Sequence, residues 1–263
     1  VMGEGCGILI MKRLEDALAD DDKVYAIVRG VGASSDGRGK GITAPNKRGQ
    51  LLALERAYTL SGVDPKTVDL FECHGTSTTV GDGVEVAALS EFVGTGSRPK
   101  DNPARIGSVK SNFGHLKSAA GAASAVKVAL ALYHAKMPPS LGFKKAPKTM
   151  HLDSVPLRVQ TKTEVWDRPI RRAGISAFGF GGTNFHIVME SYSGQVLPTS
   201  TPNAPTPDQT ISNSVVRAAT PAKKFALPDD VWALSAPNSD GILAVLKAAK
   251  DNGPRPFSLL DDV

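Results

Sequence analysis

The chain has 263 residues, of which 41% are hydrophobic and 22% are charged, a composition typical of globular domains and unlike that of disordered chains. No apolar stretch approaches the roughly 18 residues that a transmembrane helix needs, and no signal-peptide pattern opens the sequence. We therefore expect a cytoplasmic protein without a membrane span.

Charge and cysteine content argue against two further classes. The net charge of +5 would suit a nucleic-acid surface, but neither an aromatic platform nor a nucleic-acid-binding motif accompanies the basic residues, so nucleic acid is not an expected partner. Only two cysteines are present, Cys6 and Cys73, which are too few for a disulfide framework. Both lie in apolar runs that predict small buried side chains rather than metal ligands.

The first part of the chain alternates predicted strands and helices. Strands are predicted over residues 1–11 and 24–31, and a helix is predicted to start after Asn46 and to end at Gly62. Because a domain rarely begins inside its own core, the strand at residue 1 leads us to expect that an N-terminal portion precedes this chain.

Two histidines follow predicted strand ends. Residues 68–73 read as a buried strand that ends at His74, and residues 106–109 predict a short strand that delivers Lys110. His115 precedes a helix of small residues, which we expect to be buried on all sides. Either histidine alone could serve a structural hydrogen bond, but both are flanked by glycine and hydroxyl residues that let a ligand approach the backbone.

A third glycine-rich loop, residues 179–184, lies between two predicted strands that should form a hairpin. Three such loops at the ends of elements suggest one shared pocket. Residues 136–172 carry nine Lys or Arg against three Asp or Glu, which indicates either a solvated face or a surface that attracts an acidic partner. From residue 194 the chain is rich in Pro, Ser and Thr, a composition typical of linkers.

Three motifs, HGTST at residues 74–78, KSNFGH at 110–115 and GFGGTN at 179–184, resemble in this order the C-terminal signature motifs of β-ketoacyl synthases. The surrounding sequence is similar to the ketosynthase domains of bacterial type I polyketide and polyunsaturated fatty-acid synthases. The resemblance implies an α/β fold of the thiolase-like layered type (αβαβα), of which this chain would hold the C-terminal half plus a linker.

The resemblance divides the chain into three parts. Residues 1–192 would be the C-terminal portion of a ketosynthase domain, without the N-terminal part that carries the nucleophilic cysteine. Residues 193–223 would be a Pro/Ser/Thr-rich linker, and residues 224–263 the truncated start of a following linker or acyltransferase-associated unit. Cys73 is a poor substitute nucleophile, because successive strand side chains point to opposite faces and would separate it from His74.

The activity that the resemblance implies is a decarboxylative Claisen condensation in polyketide or fatty-acid biosynthesis, catalysed by an acyltransferase of the ketosynthase type. An acyl chain would be joined to a malonyl-type thioester on an acyl carrier protein domain. No cofactor would bind directly, since the phosphopantetheine of the carrier presents the substrates, and a homodimer is expected. The alternative is a non-elongating ketosynthase-like module that serves dimerisation or carrier-protein docking.

The catalytic residues that the resemblance implies are His74, His115 and Lys110. The histidines would assist decarboxylation as neutral donors to the enolate oxygen, and a helix N-terminus after His115 would favour its neutral form. Lys110 would support the site electrostatically, or else be a salt-bridged structural residue. Ser124 stands where stand-alone bacterial enzymes have a glutamate that pairs with this lysine, which leaves the partner of Lys110 open.

The substrate-binding residues that the resemblance implies lie on two loops. The hydroxyl groups of Thr76 and Thr78 would contact the pantetheine arm, since they suit a ligand rich in amide groups. Phe180, between Gly179 and Gly181, would gate the acyl pocket, and its backbone N–H would contribute half of an oxyanion hole.

Overall fold

The computed structural model describes residues 1–37, 41, 44–94 and 102–194. The predicted linker over residues 193–223 therefore lies outside the described residues except for its first two positions, and the predicted unit over 224–263 lies outside them entirely. Within the described residues, no helix is long and apolar enough to cross a membrane.

The described residues alternate helices and strands along the chain, with short 3-10 turns between some of them. The helices are α1 (Leu14–Ala19), α2 (Lys47–Ser61), α3 (Thr79–Val93), α4 (Lys110–Phe113) and α5 (Ala120–Tyr133). The strands are β1 (Ile27–Ser35), β2 (Leu70–Glu72), β3 (Ala104–Gly107), β4 (Lys136–Met137), β5 (Leu157–Val159), β6 (Glu164–Val165), β7 (Arg172–Phe178) and β8 (Thr183–Glu190).

Six of these strands form one mixed sheet in the order β1-β8-β7-β2-β3-β5. Strand β2 lies between β7 and β3 and runs parallel to both, so the carboxyl ends of these three strands meet at the same edge. The predicted hairpin is confirmed, since β7 and β8 pair antiparallel from Arg172 opposite Glu190 to Phe178 opposite Asn184. A separate pair, β4 and β6, is antiparallel.

Two hydrophobic clusters cover the two faces of the sheet. On one face, Leu54 of α2 and Leu89 of α3 pack around Phe71. On the other face, Leu132 of α5 packs with Trp166 and other apolar side chains. Helices on both faces of a mostly parallel sheet make a layered α/β arrangement, as the sequence predicted.

The predicted strand over residues 1–11 does not form. Among the described residues its only pairing is a single parallel bridge between Met2 and His115, and Cys6 is exposed rather than buried. Backbone N–H and C=O groups need hydrogen-bond partners to make a strand. In this segment, Val1 and Gly3 form backbone hydrogen bonds with His115. An apolar sequence pattern predicts a strand's faces but not whether an edge is available to pair with it.

The bounds of one strand and the burial of one helix also differ from the prediction, whereas the ends of another helix agree with it. Strand β1 lies several residues later than predicted, because it pairs with β8 as far as Ser35. Helix α5 is not buried on all sides, since Val126 and Leu130 are exposed. The prediction for α2 is confirmed: the side chain of Asn46 accepts a hydrogen bond from the backbone N–H of Arg48, and Gly62 ends the helix at a φ of 63°.

We expect Gly174→Ala to destabilise the protein by about 1 to 3 kcal/mol, because there is no room for a larger side chain in the centre of the sheet. A Cβ at Gly174 would lie 2.7 Å from Nε2 of His186 and 2.8 Å from Cδ1 of Phe71, and both rings are buried. Chemical denaturation measures the difference.

Gly121→Ala is the matched control for this substitution. A Cβ at Gly121 would meet only the Cβ of Ala177, at 3.8 Å, and the position is helical. Alanine there should be neutral or stabilise by up to about 1 kcal/mol. Equal stability of both variants would contradict the packing that the structure shows around His186.

Candidate active site

The first histidine motif follows the end of β2 at the shared strand edge. The Glu85 carboxylate accepts hydrogen bonds from the backbone N–H of His74 at 2.7 Å and of Gly75 at 2.9 Å. Gly75 has a φ of 45°, and a Cβ there would lie 2.8 Å from the Cβ of Ser108. Glycine is therefore required where the β2 and β3 ends approach each other.

Glu85 projects from α3 and is buried among apolar neighbours. Burial raises its pKa to about 7, although the hydrogen bonds from Gly75 and His74 act in the opposite direction. Glu85 was not predicted as a site residue. An acidic side chain among the apolar positions of a helix was the available signal, because a buried carboxylate requires partners.

His74 and His115, predicted as partners, do come together. Their ring centroids are 5.5 Å apart with an interplanar angle of 84°, an edge-to-face arrangement. The ring of Phe178, at the end of β7, lies 5.8 Å from that of His74 and was not predicted as a site residue. Nδ1 of His74 is buried and has no hydrogen-bond partner among the described residues.

The imidazole of His74 is held in its neutral form. Burial, together with the positive charge of Lys110 and the neighbouring His115, lowers its pKa to about 3. A ring with so low a pKa carries no charge at neutral pH, so it acts as a hydrogen-bond donor or acceptor rather than as a cation.

His115 is fixed through both its backbone and its ring. Its backbone N–H donates to the carbonyl of Val1 at 3.0 Å, and its carbonyl accepts from Gly3 at 3.1 Å. Nδ1 accepts a hydrogen bond from the backbone N–H of Lys117 at 3.0 Å, which in the neutral ring leaves the proton on Nε2. The imidazole is therefore oriented as an N–H donor.

Burial lowers the pKa of His115, and the charges of Lys110 and Lys117 add to this effect. The direction agrees with the sequence analysis, which expected a neutral ring. The expected cause was the N-terminus of a helix directly after the histidine. In the structure a 3-10 turn over Lys117–Ala119 intervenes before α5, so the cause we can identify is burial with nearby cations.

Lys110 begins α4, beyond the end of β3, and is half-buried. Among the described residues it forms no ion pair within 4.0 Å, which does not support the salt-bridged structural alternative. Burial lowers its pKa, while the carboxylates of Glu85, Glu72 and Asp82 and the thiol of Cys73 act in the opposite direction. Lys110 is thus a cation held near three carboxylates, without an ion pair to any of them among the described residues.

The predicted substrate-binding residues lie on the exposed side of the site. The hydroxyl oxygens of Thr76 and Thr78 are 3.2 Å apart. Phe180 is 81% exposed at the tip of the β7–β8 turn, between the exposed Gly179 and Gly181. Phe178, rather than Phe180, has its ring beside that of His74 among the described residues.

A cavity of about 450 Å³ adjoins the first histidine loop. Gly75 and Ser77 line it from this loop, and Glu85 lines it from α3. Lys144 and Lys145 line it from residues 136–172, the basic stretch. The thiol of Cys73 also lines this cavity. Burial raises the pKa of Cys73 well above its usual value, with nearby carboxylates adding to the effect, so this thiol is a poor nucleophile.

Comparison with known proteins agrees with the fold and the motifs. Residues 25–144 match the family model of the β-ketoacyl synthase C-terminal domain, and residues 146–255 match that of the ketoacyl-synthetase C-terminal extension. The chain therefore belongs to the β-ketoacyl synthase family, which confirms the resemblance seen in the sequence.

The curated relatives are polyketide synthases. A phenolphthiocerol/phthiocerol polyketide synthase from Mycobacterium tuberculosis is 46% identical over 195 residues, which are 72% of this chain and 10% of that protein. The highly reducing polyketide synthase curS1 from Aspergillus terreus is 43% identical over 191 residues, which are 72% of this chain and 8% of that protein.

Similar solved structures are ketosynthase domains of the thiolase-like layered fold. The ketosynthase from module 6 of the bacillaene synthase of Bacillus subtilis is 39% identical, with a TM-score of 0.63 over 69% of this chain and 33% of that chain. The oxazolomycin ketosynthase domain of Streptomyces albus is 39% identical, with a TM-score of 0.65 over 69% of this chain and 32% of that chain. The chain thus spans about a third of these domains.

We expect Lys110→Met to raise the pKa of both His74 and His115, because removing a nearby positive charge makes protonation of each ring less unfavourable. A rise of about half a pH unit or more should appear in an NMR titration of the histidine ring protons.

Lys117→Met is the matched control, because the charge of Lys117 acts on His115 and is not among the influences on His74. It should raise the pKa of His115 alone. If Lys110→Met left both titration curves unchanged, the electrostatic coupling between the lysine and the histidines would be refuted.

Proposed function

We propose that this chain supplies the decarboxylating part of a ketosynthase active site, for the condensation of an acyl chain with a malonyl-type thioester. One observation carries the proposal: the imidazoles of His74 and His115 lie 5.5 Å apart, and the pKa of each is lowered so that the ring is neutral. Two such rings at one strand edge suit an oxygen on which negative charge develops.

In this reaction the carbon–carboxylate bond of the malonyl unit breaks and carbon dioxide leaves. The electron pair of that bond moves onto the thioester and forms an enolate. The N–H groups of the two histidines donate to the enolate oxygen and so lower the barrier. The enolate carbon then attacks the carbonyl carbon of an acyl chain held as a cysteine thioester, a carbon–carbon bond forms, and the cysteine thiolate departs.

The nucleophilic cysteine of this scheme is neither of the two in this chain. Cys73 is buried with a raised pKa, and Cys6 is exposed on a segment that is bonded to the backbone of His115 through residues 1 and 3. Since the chain covers about a third of comparable ketosynthase domains, we infer that residues outside it supply the nucleophile and that the chain alone transfers no acyl group.

The proposed domain organisation follows the same reasoning. Residues 1–192 form the C-terminal portion of the ketosynthase, residues 193–223 a linker, and residues 224–263 the start of the following unit. The proposed partners are an acyl carrier protein domain, whose phosphopantetheine presents malonyl-type and acyl thioesters, and a second copy of the same domain. The family model of the C-terminal extension matches residues 146–255 and so crosses both proposed boundaries. This supports a direct continuation of the ketosynthase portion into the linker and the following unit.

In a complete ketosynthase domain that contains this chain, His74→Ala and His115→Ala should each slow decarboxylation of a malonyl-carrier thioester by about 10²- to 10³-fold, since each removes one donor to the enolate oxygen. Acylation of the nucleophile should continue. Release of carbon dioxide and intact-mass measurement of the acylated protein follow the two half-reactions separately.

His134→Ala is the control, since His134 is exposed and ends α5 away from the motif. Equal losses in both half-reactions would assign the motif histidines a structural role. A wild-type domain that is acylated but releases no carbon dioxide would favour the non-elongating module.

The basic stretch leads to a prediction about the carrier. Lys144 and Lys145 line the cavity beside Ser77, and Lys148 is exposed close by in sequence. In a complete ketosynthase domain, replacing all three lysines by alanine should raise the KM for a carrier-bound thioester about tenfold at low salt and much less at high salt, because exposed charges are screened. The KM for a free pantetheine thioester should not change. Equal effects on both substrates would show that this surface does not attract the carrier.

A further inference from the structure

Glu72 is a carboxylate placed in the interior of the protein without an assigned role. It is the last residue of β2, is fully buried, and follows the apolar Leu70 and Phe71. Burial raises its pKa, and the charge of Lys127 acts most strongly in the opposite direction. A buried carboxylate is costly unless charges and hydrogen bonds compensate it, so its contacts indicate what it holds in place.

Those contacts reach two other segments of the chain. One carboxylate oxygen, Oε1, accepts hydrogen bonds from the backbone N–H of Val109 and, at 3.4 Å, from the hydroxyl of Ser124. The other oxygen, Oε2, forms an ion pair of 2.6 Å with Nζ of Lys127, whose side chain is 12% exposed. All of these partners are buried or nearly so, and water therefore screens the interactions weakly.

The contacts of Glu72 reach the segments around the proposed active site. Glu72 itself stands two positions before His74, and Val109 directly precedes Lys110. Ser124 and Lys127 belong to α5, which begins at Ala120, five positions after His115. One carboxylate thus joins the strand end before His74, the backbone before Lys110 and the helix that follows the His115 loop.

We propose that Glu72 is a positioning residue of the decarboxylation site, which fixes His74, Lys110 and His115 relative to one another and keeps a negative charge behind Lys110. This inference rests on the proposed function. A purely structural ion pair would stabilise the fold in the same way, but it would leave the charge of Lys110 and the reaction unaffected.

The charge of Glu72 gives the proposal a second, electrostatic consequence. Glu72 is one of the carboxylates that oppose the lowering of the Lys110 pKa, and the charge of Lys110 in turn lowers the pKa of both histidines. Removing the carboxylate charge should therefore let Lys110 lose its proton at lower pH. Because the Lys110 cation would also favour negative charge on the nearby enolate oxygen, the rate of decarboxylation should then begin to fall at a lower pH on the alkaline side.

The test uses two variants of a complete ketosynthase domain that contains this chain. Glu72→Gln keeps an acceptor for Val109 and Ser124 but removes the charge. Glu72→Gln/Lys127→Met removes both charges of the pair, so no uncompensated lysine is left in the interior and the fold is retained even if the single variant unfolds. Each should slow decarboxylation about tenfold or more. Glu72→Gln should also move the alkaline limb of its pH profile down by about one unit, a shift that should be smaller in the double variant because a positive charge is removed as well.

Glu190→Gln is the matched control. Glu190 is also buried at the end of a strand and paired with cations, Arg172 at 2.6 Å and Arg29 at 3.5 Å, but none of these three residues belongs to the motif loops. This variant should lower the melting temperature without changing the pH profile. Melting temperatures of all variants separate stability from activity.

The outcomes decide between the two roles. If Glu72→Gln/Lys127→Met keeps the wild-type rate, or if Glu190→Gln slows decarboxylation and moves the alkaline limb as strongly as Glu72→Gln does, Glu72 is only a structural ion-pair residue and the inference is wrong. A wild-type domain that is acylated but releases no carbon dioxide overturns the proposed function, and the role of Glu72 in it, together. The two failures are therefore distinguishable.

Discussion

A charge is stable in a protein interior only where neighbouring groups compensate it, and this constraint governs the edge of the sheet that carries the motif residues. Glu85 and Glu72, 4% and 0% exposed, are both buried directly behind that edge. Glu85 satisfies its oxygens with two backbone N–H groups of the histidine loop, and Glu72 with Val109, Ser124 and Lys127. The cost of burying these carboxylates is thus offset by contacts that fix the backbone where catalysis is proposed.

Lys110 connects these buried carboxylates electrostatically with the two histidines. The two carboxylates favour its charged form, and its charge favours the neutral form of both imidazoles. For decarboxylation a neutral donor has an advantage over a cation. The malonyl carboxylate is negative before the reaction and charge then moves to the thioester oxygen, so an imidazolium would also stabilise the starting state. Only stabilisation that is greater in the transition state accelerates the step.

The sequence predicted the local features of this arrangement well. Apolar runs followed by glycine and hydroxyl residues correctly placed His74 after a buried strand and the 179–184 loop in a hairpin, because these patterns depend on neighbours in the chain. The family motifs then identified the two histidines and Lys110 as a group. Their convergence depends on β2 pairing with both β3 and β7, which hydrophobic patterns do not specify.

Other features could not be predicted because they depend on partners distant in sequence. The glycine-rich segment at residues 1–11 has the pattern of a strand but pairs, within the described ranges, only by a single bridge to His115. The importance of Glu72 becomes visible only when α5 brings Ser124 and Lys127 to it. Ser124 departs from the family pattern. In the structure its hydroxyl donates a hydrogen bond to the carboxylate of Glu72, at the end of β2.

The site therefore has one part that is fixed by close contacts between segments and another part that is exposed. Gly75, Glu85 and Glu72 are confined by close contacts between segments, so a change at any of them disturbs the positions of several strand ends at once. Phe180 lies in the β7–β8 turn and is 81% exposed. If Phe180 gates the acyl pocket, as the family resemblance implies, the side chain at this exposed position can vary without moving the histidines, whereas the residues that hold the histidines cannot.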